Sequence, residues 1–348
     1  MNERILITGG AGFIGSRTAN ELSRAGYDVR VLDNLDPQVH LEGTGTPLLL
    51  DEDIEFVCGD IRDADAVARA LEGIDVVYHF AALTGVTQSM FEVERYIDVN
   101  VRGTATLWDV IINRNVPLQR FILASSRAVY GEGAYHCVWC AGVVFPETRN
   151  LDRLSHAQWE TICPQCGQTA DPVPTREDKP LRPLSVYAQS KLFQEQICRS
   201  LAVSREIPVV ILRYFNVYGP HQSLTNPYTG IAATFCSRVL AKNSIPLYED
   251  GLAIRDFVHI NDVVTANRLA LVGGEKEIAV NIGSGSKASI LDLAGMICDV
   301  LGSPGNWEIT GQYRLGDVRS CYADTRAALR ELHFWPRVEL REGLTDLV

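Results

Sequence analysis

From Arg4 to Ser126 the chain keeps switching between two hydrophobic periods, and this alternation constrains its fold more than any other feature. “RILITGG” is a short apolar run rich in β-formers that ends in glycines. “FIGSRTANELSRAG” then places apolar residues at helical spacing and stops at Gly26, a helix-ending residue. “DVRVLDN”, “IEFVCGD”, “DVVYHFAA” and “RFILASS” repeat the strand signature, the last after a helical stretch from about Glu92 to Asn113. Strands alternating with helices predict βαβ units and a doubly wound parallel sheet covered on both faces, an α/β fold. The rhythm breaks between Glu132 and Pro183, where prolines and four paired cysteines sit in loop-like sequence. It resumes with the long amphipathic helix “SVYAQSKLFQEQICRSLAVSRE” and the strand “PVVILRYFN”. We therefore expect a sheet domain over 1–215 with an insertion at 132–183. Residues 216–348 should form mainly a smaller mixed lobe, with some late segments returning to the sheet domain.

At 348 residues and 46% apolar content the chain can bury a sizeable core. No apolar run approaches the roughly 18 residues of a membrane span. The N-terminus enters a strand too soon for a signal peptide. The expectation is a soluble cytoplasmic protein without a membrane partner. A formal charge of −11 argues against a nucleic-acid surface. Cys58, Cys198, Cys236, Cys298 and Cys321 lie singly in apolar segments and read as small buried hydrophobes.

“TGGAGFIGS” puts Gly9, Gly12 and Gly15 between the first strand and the first helix. Glycines there allow a tight turn and close approach of a pyrophosphate to a helix N-terminus. Asp33 ends the second strand, at the distance expected of a carboxylate that holds a ribose 2′-OH. It would repel a 2′-phosphate, so NAD is favoured over NADP. “YAQSK” places Tyr187 and Lys191 on one helical face. A tyrosine of pKa about 10 is a poor base, and a neighbouring ammonium favours its phenolate. Ser126, at the end of the fifth strand, supplies a second group for the same substrate oxygen.

Cys137 and Cys140, then Cys163 and Cys166, form two CxxC pairs separated by 22 residues. Four thiolates at this spacing predict a tetrahedral Zn²⁺ site with bonds of about 2.3 Å. A closed Cys₄ shell leaves no open position, so its role is structural: a clip that folds the insertion and keeps Ser126 and Tyr187 in register. His136 and His156 are expected to be bystanders.

Together these motifs resemble the extended branch of the short-chain dehydrogenase/reductase superfamily, over nearly the whole chain, and imply a Rossmann-type fold. The resemblance implies that Phe13, Ile14, Asn34, Asp60, Ile61, Phe80, Ala81, Ala82 and Asn100 contact or line the cofactor, with Ser126, Tyr187 and Lys191 as the catalytic set. “LRYFNVYGP”, “RDFVHINDVV” and “YRLGDVRSCYADT” are similar to nucleotide-sugar epimerases and dehydratases. By that resemblance Tyr214 and Phe215 pack near the nicotinamide, Thr84 and Asn216 contact the sugar nucleotide, and Arg255 and Arg314 grip its diphosphate. Sugar-nucleotide 4,6-dehydratases carry an Asp–Glu pair right after the catalytic hydroxyl. Here Arg127 and Ala128 stand in those places, and alanine cannot transfer protons. The implied reaction is 4-epimerization with tightly held NAD: oxidation at C4, then return of the hydride to the other face. A 4-ketoreductase consuming NAD(P)H, or another NDP-sugar-modifying enzyme of the superfamily, remains the alternative. “HFAALTGVTQSMFEVERYIDVNVRGTA”, the cysteine-bearing insertion and “GPHQSLTNPYTG” look most like the bacterial dTDP-L-rhamnose 4-epimerases and close relatives, which implies a dTDP- or UDP-hexose substrate. The same resemblance implies a homodimer formed through the helices that begin near Glu92 and Ser185.

Overall fold

The computed structural model describes residues 3–40, 49–223, 230–273, 277–314 and 316–347. Positions 224–229 of the “GPHQSLTNPYTG” stretch lie outside the described residues. Seven strands form the central sheet: β1 (Arg4–Thr8), β2 (Asp28–Asp33), β3 (Glu55–Cys58), β4 (Val76–His79), β5 (Arg120–Ser126), β6 (Val209–Tyr214) and β7 (Ile278–Ile282). Their order is 3-2-1-4-5-6-7, and every pairing is parallel. The order reverses between β1 and β4, so loops leaving these strands diverge and open a crevice at their carboxyl ends.

The pleat sorts the apolar residues. Ile5 and Ile7 enter one core cluster, and Leu6 between them enters the other. The first cluster takes Ala19 and Leu22 from the helix Phe13–Arg24, with Val263, Ala266 and Ala270 from the helix Ile260–Val272. The second takes Leu107, Trp108 and Ile111 from Gly103–Asn113, and Cys198 and Ala202 from Val186–Arg205. Trp108 is 1% exposed and stacks on Phe121 with ring centroids 4.6 Å apart. A third cluster, with Phe235, Leu247, Phe257, Leu293 and Ile297, lies among later elements.

The helical stretch from Glu92 is not uniform. Val93–Tyr96 leads into a widened π-helical turn at Ile97–Arg102 before the α-helix Gly103–Asn113. The insertion is more ordered than loop-like sequence suggests. Ala134–Cys137 pairs antiparallel with Gly142–Val144 and with Asp171–Val173. Tyr135, Cys137, Val144, Cys163 and Ala170 give it a small core of its own. Strands this short show too little alternation to be read from sequence. Of the single cysteines, Cys198, Cys236, Cys298 and Cys321 are buried, but Cys58 is exposed, because it ends β3 at the sheet edge. Among the described residues no helix is long and apolar enough to cross a membrane.

Trp108→Ala should lower the free energy of unfolding by about 3–5 kcal/mol, measured by urea denaturation.

Candidate active site

The chain leaves β1 through Gly9 and enters the helix Phe13–Arg24 at Gly12. Gly9 has φ +68°, and a Cβ there would meet the Ala81 amide nitrogen at 2.6 Å. On Gly15 a Cβ would meet the Gly9 carbonyl oxygen at 2.3 Å. The protein's own packing therefore requires both glycines. Gly12 is different. The nearest atom to a Cβ there would be 3.4 Å away, and the residue lines a cleft. A side chain at Gly12 would take cleft space, so its absence suits a ligand pressed against the backbone. Helical bonding starts where the Ser16 amide donates to the Gly12 carbonyl at 2.9 Å, and no side chain caps this end. The amides of Phe13, Ile14 and Gly15 precede that bond and have no helical acceptor. With the helix dipole they form an anion site at the strand ends.

Beside this turn, the Asp33 carboxylate accepts hydrogen bonds from the amides of Ala11 (3.0 Å) and Leu35 (2.9 Å). Asn34 donates to Asp60 at 3.1 Å, and Arg62 grips Asp60 through Nε at 2.8 Å and Nη2 at 2.7 Å. Those Arg62 bonds outweigh partial burial and bring the Asp60 carboxyl down to about 2.

Ser126 ends β5, and Tyr187 and Lys191 lie on the first turns of the helix Val186–Arg205. Ser185 caps that helix, its hydroxyl accepting from the Ala188 amide at 3.1 Å. The Lys191 ammonium is buried and donates to the Ala124 carbonyl of β5 at 2.9 Å. Burial pushes it down to about 7. Tyr187 is 8% exposed. Burial raises its phenol, while the Ser126 hydroxyl and the Arg127 charge act in the opposite direction. Lys191 is anchored to the strand, and Arg127 brings a second positive charge to the same cleft. Arg127 lines the cleft and has no hydrogen-bond or ion-pair partner among the described residues. Behind this set, Ser125 donates to Glu195 at 2.5 Å, and Arg213 holds Glu195 at 2.9 and 2.8 Å. Glu195 and Arg213 are 0% and 2% exposed, so this pair fastens β5, β6 and the tyrosine-bearing helix to one another.

At the far end of the cleft, the side-chain Oδ1 of Asn216 is buried without a partner, a polar atom that a ligand could satisfy. Arg255 donates to Asp317 at 3.0 Å. Arg314 lies 4.3 Å from the Tyr248 ring centroid and donates to the Tyr248 hydroxyl at 3.0 Å.

The cleft is continuous, about 1380 Å³ in volume, which suits two nucleotide-sized ligands better than one. It is lined by every expected cofactor, catalytic and substrate residue but one. Ile61, Phe80, Ala81, Ala82 and Thr84 form its wall, and Tyr214 and Phe215 its floor. The Tyr214 hydroxyl donates away from the cleft to Asn267 at 2.6 Å. The exception is Asn100, which does not line the cleft. It is fully buried, donates to the Leu83 carbonyl (3.0 Å) and the Ser190 hydroxyl (2.9 Å), and accepts from the Leu83 amide (2.8 Å). Its amide shapes the cleft wall from behind. Tyr248 and Asp317, which seat the two arginines, carry no sequence signal beyond their residue type. Arg127 was legible only as the loss of a dehydratase acid.

The four paired cysteines converge. Their Sγ atoms all lie within 4.8 Å of one another, with Cys137–Cys166 at 3.5 Å and Cys140–Cys163 at 3.8 Å. A tetrahedron of about 2.3 Å bonds has edges of about 3.8 Å, so the donor set fits a tetrahedral metal. His156 is exposed and its ring faces the Asp152 carbonyl at 2.8 Å.

The model of the NAD dependent epimerase/dehydratase family matches residues 5–138 and 147–283. The chain belongs to that family. The gap in the match, 139–146, falls inside the insertion. Among proteins of this kind, the chain is 40% identical to a dTDP-L-rhamnose 4-epimerase of Burkholderia thailandensis, over 99% of this chain and 94% of that protein. It is 30% identical to a UDP-glucose 4-epimerase of Bacillus subtilis, over 99% and 94%. The UDP-glucuronic acid 4-epimerase of Bacillus cereus, solved with UDP-glucuronic acid and NAD, superposes with a TM-score of 0.80. It is 28% identical and matches over 99% of this chain and 97% of that one. In epimerase/dehydratase terms, the glycine turn and the Ser126–Tyr187–Lys191 set occupy one cleft at the carboxyl rim of the sheet.

Proposed function

We propose that this protein is an NAD-dependent nucleotide-sugar 4-epimerase acting on a dTDP-6-deoxyhexose of the L-rhamnose type. The observation that carries the reading is the convergence of Ser126, Tyr187 and Lys191 in the same cleft as the glycine turn, with Arg127 and Ala128 where a dehydratase needs its acid pair. The 40% identical relative supports the sugar. Division of labour follows the chain: 1–215 hold the cofactor, and 216–348 mainly hold the sugar nucleotide.

The amides at the start of the helix Phe13–Arg24 take the pyrophosphate, and Asp33 takes the ribose hydroxyls. Bound NAD supplies a hydride acceptor that later returns the hydride. Tyr187, as phenolate, removes the proton from the sugar C4 hydroxyl, and Ser126 donates to the same oxygen. Arg127 and the buried Lys191 supply the positive charge that keeps the phenolate accessible. On reduction of the 4-ketose, Tyr187 returns the proton to O4. Asn216, Arg255 and Arg314 hold the nucleotide diphosphate while the sugar turns.

We further propose a structural Zn²⁺ held by Cys137, Cys140, Cys163 and Cys166, and a homodimer. Met90, Phe91, Val93 and Ile97 are 54, 85, 49 and 38% exposed beside Phe193 at 48%, on segments that pack against each other, an apolar face suited to a second copy. The described cysteines form no disulfide, which suits a reducing cytoplasm.

Purified protein with no added reductant should interconvert dTDP-L-rhamnose and its C4 epimer, followed by product NMR. Activity only with supplied NAD(P)H would favour the ketoreductase reading. Tyr187→Phe should lower turnover by at least about a hundredfold with NAD still bound. Arg127→Met should move the acidic limb of kcat to higher pH, because losing a positive charge disfavours the phenolate. An unmoved limb would exclude Arg127 as the charge acting on Tyr187. Metal analysis should find about one zinc per chain, as a Cys₄ site holds one ion; a stable, active protein without metal would exclude the site.

A further inference from the structure

We infer that Arg149, contributed by the insertion, is a positioning residue that holds both arginines of the nucleotide end of the cleft in place. The inference rests on the proposed function in taking Arg255 and Arg314 as the diphosphate grip. Arg149 does not line the cleft, and its side chain is 6% exposed. Its guanidinium donates to both oxygens of Glu249, at 2.9 and 2.7 Å, and to the backbone carbonyl of Asp317 at 3.0 Å.

Each contact touches one seat of the grip. Glu249 directly follows Tyr248, the ring on which Arg314 lies and whose hydroxyl accepts from it. Asp317 is the carboxylate that accepts from Arg255. A single planar fork thus ties the two seats to each other and, through the Trp159 carbonyl at 3.3 Å, to the insertion. Glu249 has φ +56°, a conformation that needs fixing from outside, and it is 5% exposed. Arg319 reaches the same carboxylate at 3.3 Å and binds Asp250 (2.7 Å) and Glu160 (2.6 Å), so the weld is ionic on both sides. Lysine would keep the charge but has no fork to span Glu249 and Asp317 together.

The test is calorimetric binding of UDP and of dTDP to wild type, Arg149→Lys and Arg149→Met, with NAD content, melting temperature, KM and kcat measured on each. The expected result is nucleotide binding about tenfold weaker in Arg149→Lys, the weight of one charge-assisted hydrogen bond. KM should rise with kcat held, and NAD content and melting temperature should match wild type. If Arg149→Met does not fold, Arg149→Lys decides. Equal nucleotide binding by Arg149→Lys and wild type overturns the inference alone. A loss of binding matched by lost NAD and a lower melting temperature assigns Arg149 a general structural role and also overturns it. Wild type that binds neither nucleotide overturns the proposed function, and the inference with it.

Discussion

The seven strands all run in one direction, and everything else follows from that constraint. Parallel strands bring their carboxyl ends to a single rim, and the reversal of order between β1 and β4 opens that rim. Gly9 follows β1, Asp33 ends β2, Phe80 follows β4, Ser126 ends β5 and Tyr214 ends β6. Residues spread over more than half the chain therefore face one cleft without any long-range steering beyond strand pairing.

A rim lined with polar groups needs support from below. The Glu195–Arg213 pair gives it under β5, because a carboxylate and a guanidinium removed from water hold each other and the Ser125 hydroxyl in one arrangement. Lys191 is fixed in the same way by the Ala124 carbonyl, and burial lowers its affinity for a proton. The insertion gives corresponding support at the other end of the cleft. Its Arg149 and Glu160 form ion pairs with Glu249 and Arg319, and Arg149 also donates to the Asp317 carbonyl, while on the β6 side the Glu177 carbonyl of the insertion accepts from Arg213 at 3.1 Å.

Much of this was legible in the residues. The strand–turn–helix setting of Gly9, Gly12 and Gly15, the carboxylate at the end of β2, and the four-residue spacing of Tyr187 and Lys191 each impose local geometry. Local geometry survives folding, and the convergence of the cysteines likewise followed from their spacing. What sequence did not show depends on contacts made at long range. Asn100 turns inward because Leu83 offers it both an acceptor and a donor. Cys58 is exposed only because β3 is the last strand of the sheet. Arg149, Glu249 and Arg319 belong to no motif, and nothing in one dimension brings a residue at 149 to a carboxylate at 249.

Two points of the insertion, Gly133 and Thr175, sit beside one short segment, Ser320–Tyr322. Gly133 donates to the Ser320 carbonyl at 2.9 Å, and Thr175 donates to the Tyr322 carbonyl at 2.8 Å. Gly133 and Thr175 are therefore neighbours on a fixed ledge, and the central sheet does not register how many residues hang between them. A change of length between these two points would leave both attachments, and the pairing of the seven strands, as they are.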